Sequence, residues 1–204
     1  MKILKRLTLI TILLLIYIIV SAISYVSAVS NNISDSVFRL HVIANSDSSE
    51  DQNLKYIVRD EILNYMNTLT NNINSKELAI EIAKNHEKDF YEIAKKTIEQ
   101  NGYNYDVKIE IGNCYFPTKN YGDISLPAGY YDSLKIEIGN ASGQNWWCVM
   151  FPPLCFVDMS TGIVPDSSKQ TMKDNLSEEE YALISNTNNS NISFKFKLIE
   201  LFSK

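Results

Sequence analysis

The residues of this chain best suited to reactive chemistry are three cysteines, Cys114, Cys148 and Cys155, and two histidines, His41 and His86. A thiol becomes a nucleophile when an imidazole takes its proton, and the two partners need not be close in sequence. Cys148 with His41 is the pairing that would make such a dyad, and an extracellular Cys-dependent hydrolase is the enzyme it would build. No third group that could orient the histidine stands out. His41 falls in an apolar, β-branched run and reads as a strand-face residue, while His86 lies among Asn85, Glu87 and Lys88 and reads as solvent-exposed. Structural zinc sites use close ligand pairs, whereas six residues separate Cys148 from Cys155. No catalytic residue, metal, cofactor or small-molecule substrate is therefore expected. The adjacent acids Asp60 and Glu61, and the acidic run 178–180, fit solvated helix faces better than a glycosidase pair.

Binding chemistry is better represented than catalysis. Trp146 and Trp147 are neighbours in a run that reads as a strand, so their side chains must point to opposite faces. They cannot share one core. One can pack beneath helices, which leaves the other to a loop, to the C-terminal segment or to a partner, and large aromatics carry much of the energy at interfaces. Asn45 and Asp47 suit a turn or a helix cap, and Arg59 suits an intramolecular ion pair.

The elements that must position these residues begin with an export signal. Lys2, Lys5 and Arg6 precede a run over residues 7–29 that carries no charge. A bilayer span needs roughly 20 apolar residues, and a basic start stays on the cytoplasmic side. Val26, Ser27 and Ala28 offer the small residues a signal peptidase accepts, so residues 1–28 are either a cleaved signal peptide or a retained anchor. Without them the chain holds 16 basic against 24 acidic residues, a formal charge of −8. So acidic a body is repelled by a phosphate backbone, which excludes nucleic acid as a partner. Residues 29–36 read as a short polar tether, and residues 37–204 as one domain with length enough to bury a core.

Within that domain, residues 37–44 read as a strand that runs into the cap and turn residues Asn45, Ser46, Asp47 and Ser48. Apolar residues at three- and four-residue spacing then predict a helix over 51–69, and Ser75 caps a second one that ends at Asn101 and Gly102. After Gly102 the period changes to two. Strands are expected around 105–111, 131–138 and 145–151, with Pro117, Gly122, Pro127 and Gly129 supplying turns. The expected class is α+β: an antiparallel sheet, a meander plus the N-terminal strand, covered by two helices. Residues 177–184 suit a short capped helix, and 194–202 fit strand or helix equally. Export also permits a disulfide between Cys148 and Cys155 across the Phe151-Pro152-Pro153 turn, with Cys114 left over; the alternative is a pair of buried thiols.

The stretch between Cys114 and Asp158 completes a pattern that resembles the stage II sporulation protein R family. Its pieces occur in one order: FRLHVIANSDS from Phe38, then Asp51-Gln52, Leu54-Lys55 and Val58-Arg59-Asp60. Phe116-Pro117-Thr118-Lys119, Tyr121-Gly122 and LPAGY from Leu126 follow, and NWWCV from Asn145 and FPPLCF from Phe151 close the series. The resemblance implies a protein made in the forespore and exported across its membrane into the space between two cells. There it would trigger a membrane-embedded aspartic protease of the mother cell, which processes a pro-sigma factor. The residues expected to meet that partner are Arg39, His41, Asn45, Phe116, Pro117, Tyr121, Trp146 and Trp147.

Overall fold

The structure, a computed structural model, describes residues 2–70, 73–155 and 164–185. In chain order its elements are α1 (Lys2–Asp35), β1 (Phe38–Ile43), α2 (Ser49–Thr70), α3 (Lys76–Asn85), α4 (Glu87–Gln100), β2 (Val107–Phe116), β3 (Lys119–Tyr121), β4 (Ile124–Leu126), β5 (Gly129–Ile138), β6 (Asn145–Phe151), α5 (Asp166–Asn175) and α6 (Glu178–Ile184).

The class is α+β, and the sheet is mostly antiparallel with the order β2-β5-β1-β6. The β2–β5 hairpin and the β1–β6 pair are antiparallel. β1 enters between β5 and β6 and runs parallel to β5, so β5 and β6 are not neighbours as a plain meander would have them. A central strand is flanked on both edges and covered on both faces. That is why every residue of β1 is buried, Arg39 and His41 included.

Alternation along β1 divides the molecule into two cores. Phe38, Leu40 and Val42 join Leu134, Ile136 and Ile138 of β5 and Cys148 and Met150 of β6 beneath the helices. Leu54, Val58, Ile62 and Met66 of α2 supply the other side, with Ala79 and Ala83 of α3 and Phe90, Ala94 and Ile98 of α4. The second core lies on the opposite face of the sheet, where Phe116, Tyr131 and Val149 meet Ile33, Val37, the β3–β4 hairpin, and Met172, Leu176 and Ile184 of the last two helices.

Four local features differ from the sequence reading. The helix begun at Ser75 is broken at His86, so three helices cover the sheet where two were expected. There the imidazole is held 2.6 Å from Asp89 Oδ2 and 2.9 Å from the Tyr65 hydroxyl, and the backbone leaves helical geometry at ψ 17°. Residues 29–36, read as a tether, are helical to Asp35: Ile33 is 1% exposed, Asn32 Nδ2 donates to Glu180 at 2.7 Å, and Lys76 Nζ donates to the Ser34 carbonyl at 3.2 Å. The segment read as turns around Gly122 contains the β3–β4 hairpin. α5 has no apolar stripe to announce it, because among its ten residues only Ser168 and Met172 are buried.

The expected helix ends and the apolar N-terminal run are present. Gly102 sits at φ +85° after α4, and Ser177 and Glu180 form the reciprocal cap of α6. α1 carries a stretch, Ile3–Ala22, of 20 residues with none buried, long and apolar enough to cross a membrane. Residues 194–202 lie outside the described residues.

Candidate functional site

The face of the sheet opposite α2, α3 and α4 gathers the unusual side chains. Residues at alternate positions project there: Arg39 and His41 from β1, Asn145 and Trp147 from β6, Cys114 and Phe116 from β2, Tyr131 and Ser133 from β5. In the β1–β6 register His41 lies opposite Trp147, and the two rings stack with centroids 3.6 Å apart at 20°. Phe116 meets both rings edge-on, at 4.7 Å from Trp147 and 5.9 Å from His41.

His41 is a neutral base here. Burial lowers its pKa from 6.5 to about 4, against the opposing pull of the Asn145 side chain, whose Oδ1 lies 2.7 Å from Nε2. Nδ1 is buried with no partner. In the unfolded chain His41 binds a proton below about pH 6.5, while the folded protein binds it only near pH 4. Its contribution is therefore intact above pH 6.5 and lost as the pH falls towards 4, by up to about 3 kcal/mol. Melting curves between pH 4 and 7 for the protein and for His41→Gln should converge in shape only if this is wrong; the variant is expected to show the flatter profile.

Arg39 lies beneath the stack with 0% exposure. Its guanidinium carbon sits 4.0 Å from the centre of the Phe116 ring, 4.6 Å from Tyr131 and 5.8 Å from Tyr121. Nη2 donates to the Tyr121 hydroxyl at 2.6 Å, and that hydroxyl donates on to the Trp147 carbonyl at 3.2 Å. Nε and Nη1 find no partner, and among the described residues no carboxylate pairs with this cation. The negative faces of the three rings take the place of a counter-ion. Burial pushes the Tyr131 and Tyr121 hydroxyls up, despite the nearby cation, so both stay protonated.

Five of the eight residues expected to meet a partner, Arg39, His41, Phe116, Tyr121 and Trp147, thus form one cluster. Arg39 and Phe116 are fully buried and act from beneath it, while Trp147 is half-buried at its surface. Pro117 follows at the end of β2, half-buried. Trp146 points to the helix side, where the Tyr56 ring meets it edge-on at 5.4 Å and the Arg59 guanidinium lies 4.3 Å above it. Arg59 also pairs with Asp60 at 2.6 Å.

Asn45 is used internally. Its Nδ2 donates to Asp51 at 2.8 Å, and its Oδ1 accepts from the Asn140 amide at 2.9 Å, which ties the turn after β1 to the turn after β5. Asp47 accepts from the Gln144 amide at 2.7 Å in the same junction. Gly139 is confined there by its φ of +56° and by the Asn45 amide, which a Cβ would strike. Sequence reading missed Tyr131 and Ser133 as members of the cluster. Period-two alternation on β5 puts them on one face, but only the parallel register with β1, which sets Ser133 beside Arg39, brings them to the site.

The cysteine–histidine dyad is not assembled. Cys148 lies opposite Leu40 in the register and faces the helices, whereas His41 faces the other way. Cys148 and Cys155 are joined as a disulfide with Cα atoms 5.2 Å apart. Cys114 is free, its Sγ 3.0 Å from Ser133 Oγ, and burial raises its pKa, which leaves it a thiol and a poor nucleophile. Alkylation of the unreduced, native protein at neutral pH should label none of the three; label on Cys148 and Cys155 would show that the bond is absent.

The sequence profile of stage II sporulation protein R matches residues 34–161, from the end of α1 through β6. Stage II sporulation protein R of Bacillus subtilis (strain 168) is 42% identical over 130 residues, 64% of this chain and 58% of that protein. The chain thus matches less than two thirds of that relative's length. No solved structure matches.

Proposed function

Because the chain belongs to the stage II sporulation protein R family, we propose that it is an exported signal which activates a membrane-embedded aspartic protease of the mother cell and so leads to processing of a pro-sigma factor. The observation that carries this reading is the union of an apolar N-terminal helix with an outlying domain that bears a half-buried aromatic cluster. α1 holds 20 membrane-compatible residues and continues without a break to Ile33, which is embedded in the second core. The domain then lies outside the cytoplasm, in the space between forespore and mother cell, where a sensing surface of the protease is within reach. On it, Trp147 is the contact residue, and His41, Arg39, Phe116 and Tyr121 set its position from beneath.

The test is reconstitution in a non-sporulating host. Co-production of the full chain with a candidate membrane protease and its pro-sigma substrate should yield the shortened sigma factor, and omission of the chain should abolish it. Trp147→Ala removes a central aromatic and is expected to lower the processing rate about tenfold or more, as for a hot-spot residue. Processing that proceeds equally well without the chain would overturn the proposal. Unchanged processing by Trp147→Ala would instead move the contact surface off this face.

A further inference from the structure

β2 and β5 are the longest strands of the sheet at ten residues each, yet only β5 is paired along both edges. Among the described residues the outer edge of β2 has no strand against it. The other outer edge, on β6, is already occupied from within: the Trp147 carbonyl accepts from Tyr121, and the Val149 carbonyl accepts from the Leu154 amide at 3.1 Å.

The side chains along β2 are as unfinished as its backbone. Val107, Ile109 and Ile111 project to the helix side and remain half-exposed, while their partners on β5, Ile138, Ile136 and Leu134, are buried. On the opposite face Lys108 and Glu110 are both exposed. Edge strands resist pairing through charged side chains, commonly lysine, or through proline, bulges, short length or a covering element. Here the Lys108 ammonium is compensated, 3.3 Å from Glu137 and 3.6 Å from Glu110.

The order of these residues is complementary to itself. If a second copy of β2 lies antiparallel with a two-fold axis through Ile109, Lys108 of each copy faces Glu110 of the other. Val107 then faces Ile111, and Ile109 faces its own counterpart. Charges pair on one face and apolar side chains on the other, with both strands in one register. A shift of register by two residues sets Lys108 against Gly112 and Glu110 against its own counterpart, and both charge pairs disappear.

We propose that this chain forms a two-fold dimer through the outer edges of β2, joining the two four-stranded sheets into one continuous sheet. The proposal does not depend on the signalling role. It predicts a cross-link at the axis, because directly opposed residues of antiparallel strands have Cα atoms about 4.5 to 5.5 Å apart, within disulfide reach.

The experiment uses the full chain in detergent micelles, with Ile109→Cys introduced on a Cys114→Ser background. Mild oxidation should give a covalent dimer, while Asn120→Cys, an exposed position on β3, should stay unlinked. Lys108→Glu and Glu110→Lys each turn both charge pairs repulsive and should lower the cross-linking yield roughly tenfold or more. The double exchange should restore it. Within one copy the double exchange restores the Lys108–Glu110 contact but sets like charges against Glu137 and Lys135, so a recovered yield reports the pairing between copies. Absence of the link at position 109 overturns the proposal, as when the edge is filled by a strand of another protein. Equal linking at position 120, the result expected if α1 alone holds copies together, overturns it too, and so does a yield indifferent to the reversals.

Discussion

A version lacking residues 1–28 will fold and yet leave the pro-sigma factor entirely unprocessed. Folding survives because the apolar span of α1 buries nothing, while the residues that dock the end of the helix, Asn32, Ile33, Ser34 and Ser36, all lie beyond the deletion. Stability should therefore change by no more than about 0.5 kcal/mol, the range of a surface alteration. The signal is lost for a different reason. On the proposed function, a domain kept in the cytoplasm stands on the wrong side of the membrane from the protease surface it would meet. Thermal melts of the truncated protein and an immunoblot of the pro-sigma factor check the two halves together, and full processing by the truncated form would mean that the signal crosses no membrane.

Arg39→Ala will destabilise the domain by about 3 kcal/mol, whereas Arg39→Met will change it by less than about 1 kcal/mol. Alanine leaves a void bounded by Phe116, Tyr121 and Tyr131 and strips the Tyr121 hydroxyl of its donor. Methionine fills most of that volume, favours contact with ring edges, and removes a buried cation whose Nε and Nη1 have no partner. The loss of three cation–π contacts and the relief of an unpaired buried charge are of opposite sign and similar size. Urea unfolding followed by tryptophan fluorescence measures both variants. If methionine is as damaging as alanine, the guanidinium charge itself is required, and packing is not its main role.

The strands and helices were legible because their signals are local. Apolar residues at period two mark β2 and β5, and Ser75, Gly102 and Ser177 mark helix ends by chemistry confined to a few residues. The opposed faces of Trp146 and Trp147 followed from the same period. What escaped depends on partners distant in sequence. The break at His86 is fixed by Tyr65, 21 residues away, and α5 is helical around a single buried methionine. The insertion of β1 between β5 and β6 cannot be read from any window. That insertion also decided the site: it separated Cys148 from His41, stacked His41 on Trp147, and placed Arg39 among three rings. Asn45, which sequence alone allowed as a contact residue, is committed to joining two turns.

The central position of β1 has a consequence for the proposed export of the chain. Its residues pair with β5 and β6, so Ile43 waits for Asn145 and Phe38 for Phe151, separations of 102 and 113 positions. A segment threaded outward N-terminus first delivers β1 early and its neighbours late. Until β5 has emerged β1 has no neighbour at all, and its other edge stays open until β6 follows, so pairing it carries the entropic penalty of a long loop. On the proposed export route, β1 is thus delivered early and left without a strand partner for about ninety residues. Once the last strand appears, both edges of β1 are satisfied together, and the folded domain acts as a stopper that prevents the chain from slipping back.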